Sequence, residues 1–152
     1  MKKLWILWIV LLISSSISFG AEDTDYTSQF DFWFHVWEKE FDLPEELNKA
    51  VATHESLLDP NVVGCSGDLG LMQLNPRYID SYLDDLGWVW EFDWEQPRDN
   101  IMLGSFILSQ NLAYYDGDIE KALSAYNAGI GWTNKNGIKR SYVDNIEWEG
   151  LK

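Results

Sequence analysis

The run RDNIMLGSFILSQNLAYY, residues 98–115, constrains the fold more than any other stretch of the chain. Ile101, Gly104, Ile107, Leu108, Leu112 and Tyr115 fall on one face at helical spacing, a pattern that fits an amphipathic helix and not a strand. Glycine in mid-helix costs about 1 kcal/mol relative to alanine, so Gly104 predicts a neighbouring element that packs close at that point. Such a helix needs partners, and the flanking sequence supplies them. Phe30, Phe34, Trp37 and Phe41 are spaced for a helix over about Asp31 to Glu40. DLPEEL opens a second helix near Pro44, with a proline in the first turn and glutamates at the positive end. It should stop near Leu57, because Pro60 disfavours helix at Asp59. RYIDSYLDDLG predicts a third helix. IEKALSAYNAG predicts another, with Ile119, Ala122, Leu123 and Tyr126 on one side and Gly129 as terminator. IKRSYVDNIEW predicts the last. LMQLNP reads as a short helical turn ended by Pro76, DGD as a turn, and IGWTNKNG as a loop. In WVWEFDWEQP the residues Trp88, Trp90, Phe92 and Trp94 alternate with Val89, Glu91, Asp93 and Glu95. Period two suits an extended segment or short strand, and an aromatic-bearing loop equally. The expected fold is predominantly α, a single domain with at most a short β segment.

The N-terminus has a different character. MKKLWILWIVLLISSSISFG carries two lysines, an apolar core from Leu4 to Ile13 and then a small polar segment, the layout of a secretory signal peptide. Ser18 and Gly20 suit the −3 and −1 positions, which puts the cut after Gly20. The apolar core is shorter than the roughly 20 residues of a spanning helix, so no stable membrane span is expected after cleavage. Taking 20 residues from 152 leaves 132; two of the eleven Lys and Arg go and all 25 acids stay, so the net charge moves from −14 to −16. That balance argues against nucleic acid, whose phosphates require Lys and Arg, and against simple attraction to an anionic surface. Cys65 is the single cysteine. It cannot form an internal disulfide. No CxxC or paired His/Cys spacing suggests a metal. Cys65 paired with His35 or His54 as nucleophile and base lacks local support, and a loop residue is the expected role.

The helix from Pro44 raises a chemical question. Leu47 and Val51 lie four apart on its apolar face, and the next step of four lands on Glu55. In isolation such an acid could be a helix-end carboxylate paired with His54 or an arginine. Three glycines, Gly64, Gly67 and Gly70, then mark a loop. Seven tryptophans lie beyond residue 20, at 33, 37, 88, 90, 94, 132 and 148. Indole faces can stack on sugars, although core packing accounts for most aromatics. In order along the chain stand HES, GLMQLNP and AYNAG. Each is weak alone. Together, at these separations, they resemble the three signature motifs of the lytic transglycosylases of the soluble-lytic-transglycosylase, goose-lysozyme-like type, which cleave the glycan of the bacterial wall. The resemblance runs from about Asp42 to Ile146, and DNIMLG is similar to the family's helix start before the third motif.

The resemblance implies a lysozyme-like domain over 42–152, after a signal peptide over 1–20 and an aromatic N-terminal extension over 21–41. It implies Glu55 as the single catalytic acid. It implies substrate-binding roles for Ser56 beside that acid, for Gln73 lining the sugar cleft with Met72 packed below, and for Tyr126 and Asn127 in the cleft wall. Tyr142, in RSYV, resembles a late tyrosine that hydrogen-bonds the acid. No metal or organic cofactor is implied. The partners implied are peptidoglycan glycan strands and, by analogy with small exported members, a secretion or conjugation machinery, with the protein exported to the periplasm or the extracellular wall. Cys65 and the aromatic stretch Trp88 to Trp94 depart from common members. Ordinary glycosidases use two carboxylates, whereas this family manages with one, aided by the substrate's N-acetyl oxygen, and leaves a 1,6-anhydro ring. A free glutamate ionises near pH 4.3; apolar surroundings would keep Glu55 protonated. Two other functions remain open at this level. A hydrolytic lysozyme would need a second acid, for which Asp68 is better placed than Asp59. A non-catalytic glycan-binding component of a secretion or conjugation apparatus would not need Glu55 at all.

Overall fold

The computed structural model describes residues 29–44 and 46–151. The expected signal peptide and the polar residues up to 28 lie outside them. The described chain is helical: α1 Asp31–Glu40, α2 Leu47–Ser56, α3 Ile79–Leu86, α4 Pro97–Tyr114, α5 Ile119–Ala128, α6 Ile130–Asn136, α7 Arg140–Val143 and a 3-10 turn Glu149–Leu151. The β content among the described residues is two isolated antiparallel bridges, Val63 to Leu69 and Leu69 to Leu74.

Helix α4 is the axis of the fold, packed against α5, α1, α3 and α2. The expected single stripe is too narrow a description. Ile101, Gly104 and Leu108 are buried, but so are Met102, Leu103 and Phe106 on other sides, and the polar Asp99, Asn100, Ser105 and Asn111. Ile107, Leu112 and Tyr115 are only partly covered. A helix with neighbours all round loses its polar face, and its buried polar groups must then be paired. Asn48 Nδ2 donates to Ser105 Oγ at 2.7 Å, and Ser105 Oγ donates to the Ile101 carbonyl at 2.6 Å. At Gly104 the close neighbour is Met72: a β-carbon there would collide with the Met72 side chain.

Helix α1 lies against α4 through Phe34 and Trp37. Trp37 stacks on Phe41 at 5.9 Å, Phe41 meets Phe106 at 5.8 Å, and Trp37 Nε1 donates to the Arg98 carbonyl at 3.1 Å. The start of α2 is Leu47, three residues later than the proline suggested. Its first amides are satisfied from another helix: the Glu38 carboxylate accepts from the N–H of Glu46 at 3.1 Å and of Asn48 at 3.0 Å. A helix start leaves such amides without partners of their own, and an acid there also suits the helix dipole.

Three local expectations are corrected. LMQLNP is a tight loop and not a helical turn, closed by the reciprocal pair between Leu69 and Leu74, both N–H···O at 2.9 Å. IGWTNKN is helix α6 and not a loop. Its poor helix formers are held by tertiary contacts, with Thr133 buried and bonded to Ser124 at 3.0 Å. The last predicted helix is cut to four residues, because Asn145 and Ile146 turn back on Tyr142 and Val143 through i→i+3 bonds of 3.1 Å. The stretch Trp88 to Trp94 forms no strand; it is an irregular loop ending in a turn.

Candidate active site

Glu55 occupies the last turn of α2, one step of four beyond Val51, so its carboxyl leaves the helix on the side that Leu47 and Val51 bury. It is partly buried. Tyr142 donates its hydroxyl to Glu55 Oε1 at 2.5 Å, across 87 residues of chain. The Tyr142 ring is buried and meets His54 edge-on, with centroids 5.0 Å apart. Helix α7 is too short to hold this geometry alone. It is tied to α5: Arg140 spans the Glu120 carboxylate at 2.5 and 3.0 Å, and the Lys139 N–H donates to Ser124 Oγ at 2.9 Å.

The glycine-rich loop is tied to α5 and to the start of α4. Tyr126 of α5 donates its hydroxyl to the Met72 carbonyl at 2.8 Å, and the Met72 N–H donates to Asn100 Oδ1 at 2.8 Å. Asn100 Nδ2 reaches the carbonyls of Leu69 at 3.0 Å and Trp94 at 3.1 Å. One buried amide at the start of α4 therefore joins the loop to the aromatic segment. Asp68 lies in the same loop, and its Oδ1 is buried without a hydrogen-bond partner.

Burial pushes the Glu55 carboxyl above the ordinary carboxylate range. The Tyr142 hydrogen bond pulls it down, the charge on Asp68 pushes it up, and the charge on Lys139 pulls it down by less. Burial and then the Glu55 charge raise Tyr126 and Tyr142 well above the usual phenol range, so both stay protonated donors. A carboxyl that resists ionisation between two phenols can give a proton and take one back.

Three of the sequence candidates serve the scaffold. Ser56 is buried, and its hydroxyl donates to the Ala52 carbonyl at 3.0 Å within its own helix. The Met72 side chain is fully enclosed at Gly104, and its backbone carbonyl accepts from Tyr126. Gln73 stands at a positive φ of 46°, and its Nε2 donates to the carbonyls of Gly70 at 2.9 Å and Val62 at 3.2 Å. It knits the loop together. Asn127 is exposed, with its Oδ1 accepting from Lys139 Nζ at 2.5 Å. Sequence reasoning missed Lys139, Glu38 and the joining role of Asn100. Asn100 left a signal, a polar residue beside Ile101 at the mouth of an apolar helix. Lys139 left none, since its partners come from a separate motif. Among the described residues no group of three or more His, Cys, Asp or Glu is arranged to hold a metal ion.

Residues 32–148 match the family model described as the transglycosylase SLT domain. The chain belongs to this transglycosylase family. As a transglycosylase SLT domain it spans nearly the whole described structure, all three motifs and Tyr142 included. It is 32% identical over 130 residues to the invasion protein IagB of Salmonella typhimurium, covering 83% of this chain and 78% of that protein. The protein of the same name from Salmonella typhi gives the same figures. A solved structure of an inactive mutant of the lytic transglycosylase Slt from Pseudomonas aeruginosa has a TM-score of 0.67 at 24% identity, over 76% of this chain and 22% of that one. The likeness to Slt is one of fold, and this chain corresponds to about a fifth of its length. The SLT domain assignment makes the chain a lytic transglycosylase of the soluble type.

Proposed function

We propose that this transglycosylase cleaves the β-1,4 bond between MurNAc and GlcNAc in peptidoglycan and leaves 1,6-anhydro-MurNAc ends, with Glu55 acting first as acid and then as base. The observation that carries the reading is the Glu55 carboxyl itself: raised by burial, held by Tyr142 at 2.5 Å and electrostatically coupled to Tyr126. In the first half Glu55 gives its proton to the glycosidic oxygen. The C1–O bond breaks, and the substrate's N-acetyl oxygen closes on C1. In the second half the C6 oxygen attacks C1 and the acetyl oxygen leaves. Glu55 takes the C6 hydroxyl proton and is ready again, and no water is consumed. Tyr126 and Asn127 bound the cleft, and Tyr142 orients the acid.

Asp68 supports a second reading. A buried carboxylate oxygen without a partner, close enough to raise Glu55, is what a hydrolytic lysozyme would use to activate water. Mass spectrometry of digested peptidoglycan separates the two, because anhydro and reducing ends differ by one water. The Glu55→Gln variant tests both: loss of a general acid costs about 10²- to 10⁴-fold. A variant that clears wall suspensions as fast as the parent overturns the catalytic assignment. Binding without clearing by the parent would favour a non-catalytic wall component. The signal-like N-terminus supports export to the periplasm or the wall, and the likeness to a protein named for invasion supports a role in that process.

A further inference from the structure

Lys139 lies outside the three motifs, yet three observations bring it into the site. Its ammonium donates to Asn127 Oδ1 at 2.5 Å. Its backbone N–H donates to Ser124 Oγ at 2.9 Å, and Ser124 is fully buried against Thr133. Its positive charge also lowers the Glu55 carboxyl, as the smallest of the four influences on that group. The lysine is thus fixed at its backbone by the core and at its tip by the residue that follows Tyr126.

We propose that Lys139 is a positioning residue of the site, which holds the Asn127 amide with its N–H₂ group outward and faces the Glu55 carboxylate with positive charge. The first part follows from donor chemistry. An ammonium has donors only, so the amide must turn its oxygen to it. The Nδ2 hydrogens then occupy the other branch of an exposed side chain, as ready donors to a carbonyl or hydroxyl oxygen of a sugar. Without Lys139 the amide can flip and present either group. The second part concerns the proton cycle. After Glu55 has given up its proton it is an anion beside Asp68, and Lys139 is the cation that offsets this. The other titratable groups around Glu55 are Tyr142 of α7, Tyr126 of α5 and, on its own helix, the exposed His54, whose ring leans on Tyr142. The phenols stay neutral there, and of the charges that act on Glu55 the positive one is Lys139. The inference rests on the proposed role of Glu55, and its test includes a measurement that needs no turnover.

The experiment compares Lys139→Met and Lys139→Arg in the protein expressed from its full chain. Carboxyl-labelled Glu is titrated by carbon NMR, with Glu55→Gln assigning the resonance. Lys139→Met should move the Glu55 midpoint upward, since a stabilising charge is gone, and Lys139→Arg should leave it near the parent. On peptidoglycan, Lys139→Met should raise KM about three- to tenfold, the size of one misplaced hydrogen bond, and carry the alkaline limb of kcat to higher pH. Arginine should restore most of both. An unmoved midpoint together with an unchanged KM overturns the inference, as does an arginine variant as impaired as the methionine one. The reading of Glu55 fails separately, by an active Glu55→Gln, and the titration is still readable in that case. Thermal unfolding of both variants, compared with the parent, separates a loss of fold from a loss of positioning: the inference expects the shifted midpoint and KM at an unchanged unfolding temperature.

Discussion

At the scale of one residue, Glu55 joins function and stability with opposite signs. Its ordinary ionisation point is 4.5, and burial raises it in the folded chain. Between the two values the native state holds more protons than the unfolded state, so the group's contribution is complete below 4.5 and is lost as pH rises through the folded value. Neutral glutamine removes this penalty and can still accept from Tyr142. Glu55→Gln should therefore have a higher Tm than the parent at pH 7, and the difference should shrink toward zero at pH 3.5. Scanning calorimetry at the two pH values checks this, and an equal difference at both would mean that the folded carboxyl is unperturbed. The placement of the acid was legible: Leu47, Val51 and Glu55 at steps of four put it on the buried side. What the spacing could not show is the direction of Ser56. Its hydroxyl closes on the Ala52 carbonyl because a helical serine can fold back onto the second lone pair of the carbonyl four positions earlier.

At the scale of elements, the close approach at Gly104 was legible, but its partner was not. The sequence required something near that glycine. That it is the Met72 loop, rather than a second helix, depends on the turn closed between Leu69 and Leu74, and two residues pairing backbone to backbone leave no side-chain periodicity to read. Gly104→Ala sets two terms against each other. Alanine gains about 1 kcal/mol of helix propensity. Overpacking in a filled core costs about 1–3 kcal/mol, and here the β-carbon meets the Met72 side chain, itself fully enclosed and tied by its backbone to Asn100 and Tyr126. The collision should win, with the urea midpoint lowered and the activity reduced as well, since the displaced loop carries the Tyr126 anchor. A midpoint equal to or above the parent would mean that Met72 repacks freely. Helix α6 was missed for a related reason: seven residues containing Gly, Thr and two Asn show no apolar periodicity, and tertiary bonds hold them, Thr133 to Ser124 and Asn134 to the Tyr114 and Tyr115 hydroxyls.

At the scale of the whole molecule, the site is where four separate stretches converge. Residue 55 ends a helix, 68 lies in a glycine loop, 126 ends another helix and 142 sits on a four-residue helix pinned by Arg140 to Glu120. The motifs named most of these residues but not which of them would meet. That depends on α4 as a common axis and on Asn100 at its start, which joins loop and aromatic segment by three hydrogen bonds. The single-acid proposal and its hydrolytic alternative differ at Asp68. Its charge adds to the rise of Glu55, so Asp68→Asn should bring Glu55 down toward its ordinary value. In a single-acid cycle the cleft then still forms anhydro ends, and the alkaline limb of the rate profile moves to lower pH because Glu55 loses its proton sooner. In a hydrolytic cycle the same change removes the group that activates water, and turnover collapses at every pH. Muropeptide mass spectra across a pH series report both quantities at once. Retained anhydro products with a limb displaced downward would assign Asp68 an electrostatic part alone, whereas a uniform loss together with reducing ends from the parent would make it the second catalytic carboxylate.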